Sequence, residues 1–120
     1  MARRREIATM YDSNLERLKN IDIVRVEDPS NHNYYKYIVH LDGIDREFVH
    51  RELEKRGISP SGYVYEFPLH KLPVFRSHND LILPKTECYS ASHMCLPIFF
   101  SMTDEQVFFV IQMFKDIVDV

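Results

Sequence analysis

Six histidines and two cysteines are the residues most able to do chemistry in this chain: His32, His40, His50, His70, His78 and His93, with Cys88 and Cys95. Cys88, His93 and Cys95 lie close together. Their spacing, C-x4-H-x-C, is not one that zinc sites use, and no fourth ligand stands out. Buried thiols and one partly exposed imidazole account for the same residues. No glycine-rich elbow or oxyanion loop accompanies either cysteine, so nothing activates a Cys/His nucleophile pair. Three glycines are too few for a phosphate-cradling loop. Neighbouring carboxylates such as Glu52 and Glu54 read as solvated helix-surface charges. What remains is YVYEFPLHKLPVF. Tyr63 and Tyr65 share one face of an expected strand, Pro68 fixes the chain direction, and His70 follows on a loop where it can point outward. A phenol and an imidazole on a rigid loop can hydrogen-bond a polar ligand such as a sugar. A tyrosine at the edge of the core and a surface histidine are the alternative.

The elements around that loop follow from periodicity. RRREIATMYDSNLERLKN places Ile7, Met10, Tyr11, Leu15 and Leu18 on one helical stripe. Its start has no good cap, and Arg3, Arg4 and Arg5 lie at the positive end of the dipole, so it reads as the continuation of something upstream, with the arginines solvated. IDIVRVE and NYYKYIVHLDG read as strands. The second carries bulk on both faces (Tyr35, Tyr37, Val39 and Leu41 against Tyr34, Lys36, Ile38 and His40), which suits a central position. Asp45 caps a helix over REFVHRELEKR with Phe48, Val49 and Leu53 inward, and Gly57 with Ile58 ends it. SPSGYVYEF reads as a turn and a third strand. Pro68 and Pro73 exclude a regular helix between them. A short helix follows Pro84, then CLPIF is extended.

Thr103 and Gln106 form a capping box for the last helix, with Met102 and Val107 as its hydrophobic staple. Val107, Val110, Ile111, Phe114, Ile117 and Val118 form its core stripe. Phe109, Met113 and Val120 widen the apolar arc. That extra width, with Ile7, Met10 and Tyr11 on the first helix, predicts an exposed apolar patch and self-association. The fold class is α+β: a small, mostly antiparallel sheet packed with helices.

At 120 residues the chain has the length of one domain, able to bury roughly two-thirds of the surface its unfolded form exposes. A net charge of -3 argues against a general nucleic-acid binder. No apolar run approaches the roughly 18 residues that span a bilayer. The N-terminus lacks signal-peptide architecture, and two cysteines suit a reducing compartment, so cytoplasm is expected.

The pieces also resemble a family. RRREIATMYDSNLERL resembles the linking helix of the DegT/StrS-type sugar aminotransferases, which depend on pyridoxal phosphate. NYYKYIVHLDGIDREFVHRELEKRGI looks like the strand-helix unit of their small C-terminal domain. GYVYEFPLHKLPVF looks like the loop carrying their Y-x-x-P-L-H-x-x-P element, and CLPIFFSMTDEQVFFVIQMF is similar to their terminal segment. The four motifs stand in the family's order and cover the chain from about Arg3 to Ile117.

The resemblance implies residues 1–20 as the linking helix and 21–120 as the small domain of a fold-type I aminotransferase, with the large cofactor-binding domain absent. Val64 stands where many members have a histidine, and Tyr65 is retained. None of Lys19, Lys36, Lys55, Lys71, Lys85 and Lys115 has the context of the lysine that forms the Schiff base. The resemblance therefore implies no catalytic residue and no cofactor in this chain. In the intact enzyme, pyridoxal phosphate would serve transfer of an amino group from glutamate or a similar donor to a keto-sugar nucleotide. Tyr65 and His70 are the residues it suggests for the substrate side of the cleft. The partner it implies is the large domain or a split partner chain, in a homodimer, with neither nucleic acid nor membrane. The alternative is a non-catalytic interaction or ligand-binding module that has kept the fold.

Overall fold

The computed structural model describes residues 2–119. Its centre is β2 (Tyr37–Leu41), flanked by β1 (Ile21–Ile23) and β3 (His93–Leu96) in one antiparallel sheet. Around it lie α1 (Ala2–Leu15), α2 (Arg46–Lys55), α3 (Pro84–Ser92) and α4 (Asp104–Val118), with short 3-10 turns at Pro29–Asn31, Leu69–Lys71 and Pro73–His78. The α+β class and the central place of the second strand are as the sequence predicts.

Register decides which face is core. Val39 pairs with Ile23 on one side and Met94 on the other, and Tyr37 pairs with Leu96. With a period of two, these side chains share one face. That face joins Ile7, Tyr11 and Leu15 of α1, Val49 and Leu53 of α2, and Val107, Val110, Ile111, Phe114 and Ile117 of α4 in one buried cluster. Each such aliphatic or aromatic side chain contributes about 1.5–3 kcal/mol by leaving water. Ile38, His40, His93 and Cys95 point to the opposite face.

The helix ends follow local chemistry. The Asp45 carboxylate accepts from the Glu47 N–H at 3.0 Å. Gly57, at φ +80, closes α2: its N–H donates to Glu54 O, and Ile58 N–H reaches Leu53 O, the two bonds of a Schellman motif. At α4, the Thr103 hydroxyl accepts from Gln106 N–H at 3.2 Å, and the Gln106 side-chain oxygen accepts from Thr103 N–H at 2.9 Å. Met102 and Val107 are both buried across this cap. Thr103→Ala should therefore cost about 1 kcal/mol, and Gln106→Ala less. Denaturant midpoints of the two variants check this; an unchanged midpoint for Thr103→Ala would put the start of α4 elsewhere.

Several expectations need correction. GYVYEF is not a strand. Gly62 turns the chain at φ +77, and among the described residues the stretch makes one backbone–backbone bond to β3, from Ser61 N–H to Cys95 O. The third strand is β3, from within the stretch expected to end a helix and begin an extended run. Tyr35 is 68% exposed, whereas Tyr34 is buried in a left-handed turn at φ 49 before β2 begins. Phe48 lies on the open side of α2, while Val49 and Leu53 are inward. Ile7 and Tyr11 are fully covered, so α1 contributes little to any exposed patch; Phe109 stays exposed and Met113 is partly packed. Val120 lies outside the described residues. Two of the arginines are also not simply solvated. Arg3 donates to Met102 O at 2.8 Å and to Asp104 Oδ1 at 2.7 Å, tying the first turn of α1 to the start of α4. Arg5 donates to Ser30 O at 2.6 Å and His32 O at 3.3 Å. Carbonyls left free by turns give the guanidinium groups partners that no local pattern announces.

Candidate functional site

The second face of the sheet is covered only in part. α3 crosses it, with the Tyr89 ring edge-on to His40 at 4.3 Å. The chain from Ser61 to Leu69 lies beside α3. Between them is a cleft of about 590 Å3, within the range of roughly 300–1,000 Å3 that small-ligand sites occupy. Ile38, Val64, Tyr65, Leu69 and Tyr89 make its lining largely apolar, and Lys85 and Thr86 from the first turn of α3 add polar groups.

His93 holds this wall together. Its Nδ1–H donates to Tyr89 O at 2.9 Å, with Ser90 O at 3.1 Å, and its Nε2 accepts from Val64 N–H at 3.0 Å. This pairing requires the neutral ring with the proton on Nδ1. Burial pushes the imidazole pKa down, against the opposite pull of the two carbonyls. Ser90 completes the seam by donating from Oγ to Tyr65 O and Glu66 O. Arg46, the first residue of α2, caps the end of α3: its Nη1 donates to Ser90 O at 2.5 Å and His93 O at 3.3 Å. A cation is favoured there by the negative end of the helix dipole. Its guanidinium also lies 4.3 Å from the Tyr63 ring centre.

The expected site residues are not gathered in one place. Tyr65 lines the cleft and is 71% exposed. Tyr63, expected beside it, turns instead toward α2, where its hydroxyl donates to Glu47 at 3.4 Å. His70 is not outward on the loop. It is 6% exposed, with Nε2 at 3.0 Å from Glu87 Oε1, and it does not line the cleft. The two prolines leave His70 in a tight 3-10 turn, and Glu87 on α3 supplies the partner that draws it inward. Sequence reasoning missed His93 and Arg46 as organisers of the site. Their partners are distant in the chain, so no local spacing signals them.

Metal and cofactor chemistry can be tested against these positions. Both nitrogens of His93 are engaged with the backbone, Cys88 is exposed and Cys95 is buried. Among the described residues no group of three or more His, Cys, Asp or Glu converges. Pyridoxal phosphate needs a lysine held beside it and a cradle for its phosphate. Lys36 donates to Ser61 O, Lys55 pairs with Glu52, and none of the six lysines is buried. The residues present do not fit the cofactor.

Comparison with known proteins gives a consistent picture. The model of the DegT/DnrJ/EryC1/StrS aminotransferase family matches residues 1–115. A dTDP-4-dehydro-2,3,6-trideoxy-D-glucose 4-aminotransferase of Saccharopolyspora spinosa is 35% identical over 119 residues, 98% of this chain and 30% of that protein. The aminotransferase TlmJ from Streptoalloteichus hindustanus superposes with a TM-score of 0.83 at 29% identity, over 96% of this chain and 30% of that one. DesV of S. venezuelae superposes with a TM-score of 0.86 at 24% identity, over 99% and 32% of the two chains, a likeness of fold. The chain thus spans about a third of the length of the relatives it matches.

Proposed function

The chain belongs to the DegT/DnrJ/EryC1/StrS aminotransferase family, and from that premise we propose that it is the small domain of a sugar aminotransferase, with residues 1–20 as linking helix and 21–120 as the domain proper. In the intact cytoplasmic enzyme, a homodimer, an amino group passes to a keto-sugar nucleotide with pyridoxal phosphate as cofactor. The observation that carries this reading is a family match over nearly the whole chain that accounts for about a third of its relatives. The cofactor supplies the electron sink. This chain supplies one wall of the substrate cleft. Tyr65, exposed on the cleft, is placed to offer its hydroxyl to the sugar. His70 serves the substrate side through Glu87, by fixing the turn that follows Pro68.

The test has two parts. The isolated chain, incubated with pyridoxal phosphate and reduced with borohydride, should show only slight scattered labelling of surface lysines by mass spectrometry. Stoichiometric labelling of one lysine would sink the claim that the cofactor belongs elsewhere. Coding sequence for a cofactor-binding portion should lie next to that of this chain, and the two together should transaminate a keto-sugar nucleotide with glutamate. Absence of such a neighbour would favour the non-catalytic module.

A further inference from the structure

Arg46 stands where local chemistry does not favour it. It is the first residue of α2, so its charge adds to the positive end of that helix's dipole. Its side chain is 14% exposed, and the Glu47 carboxylate at 3.9 Å is an outlying partner. A guanidinium this covered needs hydrogen-bond partners, and Arg46 finds them outside α2. Its Nη1 donates to Ser90 O and His93 O, where α3 passes into β3. The guanidinium lies over the Tyr63 ring, and the same ring meets the His93 imidazole at 5.7 Å with the planes at 70°. Arg46, Tyr63 and His93 thus form one cluster that joins the start of α2, the loop 61–66 and the junction of α3 with β3.

Tyr65 takes its place from this cluster. The residue before it is held through Val64 N–H to His93 Nε2, and its own carbonyl accepts from Ser90 Oγ. Both anchors sit on the junction that Arg46 fastens. The Tyr65 side chain, by contrast, is 71% exposed on the cleft. A clamped backbone under an open phenol is a preorganised contact, and a misplacement of about 1 Å in such a contact can cost about a hundredfold in rate. We propose that Arg46 is a positioning residue: by holding the α3–β3 junction and the Tyr63 ring it fixes Tyr65, and so acts on the keto-sugar half of the reaction and not on the half that takes the amino group from the donor. The inference rests on the reading of the chain as an aminotransferase small domain with Tyr65 at the sugar. The role calls for arginine in particular. The planar fork reaches two carbonyls while its face covers a ring, whereas a lysine ammonium offers the charge without the plane.

The probe is a hybrid enzyme in which this chain replaces the matching third of the Saccharopolyspora spinosa relative, loaded with pyridoxal phosphate. Arg46→Lys should lower kcat/KM for that relative's keto-sugar nucleotide about tenfold or more. The half-reaction with glutamate, followed by the cofactor's absorbance, should stay within about twofold of the unsubstituted hybrid. Tyr65→Phe should give the same split. Adding Arg46→Lys to Tyr65→Phe should cost little further, because residues that act through one another are not additive. Equal losses in both half-reactions, or losses that multiply in the double variant, overturn the proposal. A hybrid that takes the amino group from glutamate but passes none to the sugar counts against the enzymatic reading, and the isolated chain then decides for Arg46. There, amide exchange followed by NMR should quicken about tenfold at Val64 in Arg46→Lys, with Ile111 and Phe114 in α4 unchanged. Quickened exchange at Val64 upholds the clamp, and unchanged exchange there overturns it whatever the hybrid does.

Discussion

His93→Leu is expected to cost about 2–4 kcal/mol and to loosen the cleft wall. The leucine restores apolar volume but leaves the Val64 N–H and the Tyr89 and Ser90 carbonyls without the ring. A buried backbone group without a partner costs about 1–3 kcal/mol. The imidazole also gives a pH signature. Burial lowers its folded pKa below the ordinary value of about 6.5. As pH falls, the unfolded chain therefore takes the proton first. The contribution is complete above about 6.5 and is lost as pH falls from there through the folded value. Protonation would also turn Nε2 from acceptor to donor and set it against the Val64 N–H. Urea unfolding of the wild type and the variant at pH 7.5 and 5.5 separates the effects. The variant should be weaker at the higher pH and should lack part of the loss seen in the wild type on acidification. Equal midpoints at pH 7.5 would mean that His93 does not organise this wall.

His93 also shows where the sequence stops being legible. Asp45, Gly57, Thr103 and Gln106 could be read in advance because each acts on backbone within four residues of itself. The central strand could be read because Tyr37, Val39 and Leu41 alternate strongly against a bulky second face. The third strand could not. GYVYEF has the aromatic and β-branched content of a strand, but Gly62 breaks its extension, and beyond it Val64 N–H finds an imidazole rather than a ladder carbonyl. HMCL has less strand character by composition and becomes the edge because it pairs with Tyr37–His40, more than fifty residues away. Pairing between distant segments is set by the whole core rather than by local preference.

The candidate site repeats the pattern. Pro68 could be read as a fixed bend, but Tyr63 turns toward Glu47 on α2 instead of sharing a face with Tyr65. The direction of His70 depended on Glu87, seventeen residues on. The arginine run depended on carbonyls at Ser30, His32 and Met102. In each case the residue type was informative and the partner was invisible.

The largest effect is expected from Tyr11→Ala, at about 4 kcal/mol, the cost of removing a fully buried aromatic ring. Tyr11 is 0% exposed, packs against Tyr37 with ring centres 4.7 Å apart and the planes tilted by 41°, and donates its hydroxyl to Pro97 O at 2.6 Å. Tyr37 in turn donates to Asp12 Oδ1 at 2.6 Å. Two phenols thus bind α1 to the sheet and to the turn before α4. Burial raises the pKa of both well above the ordinary tyrosine range, and the Asp12 bond adds to this at Tyr37. Their contribution is complete below the unfolded value of about 10 and is lost as pH rises from there. α1 depends on these contacts for its helicity. A 14-residue helix is marginal alone, and three arginines near its positive end weaken it further. Tyr11→Ala should therefore release α1 from the sheet as well as lower the denaturation midpoint. Tyr11→Phe keeps the ring contact and strands only the Pro97 carbonyl, so about 1–2 kcal/mol should be lost. Far-UV circular dichroism and urea unfolding of the three proteins distinguish the outcomes. If Tyr11→Ala loses no more than Tyr11→Phe, the ring is not what seats α1. Under the function proposed above, in which α1 is the linking helix, a loose α1 would leave the cleft at no fixed distance from a cofactor bound elsewhere, and such positioning is what a wall without catalytic groups would contribute.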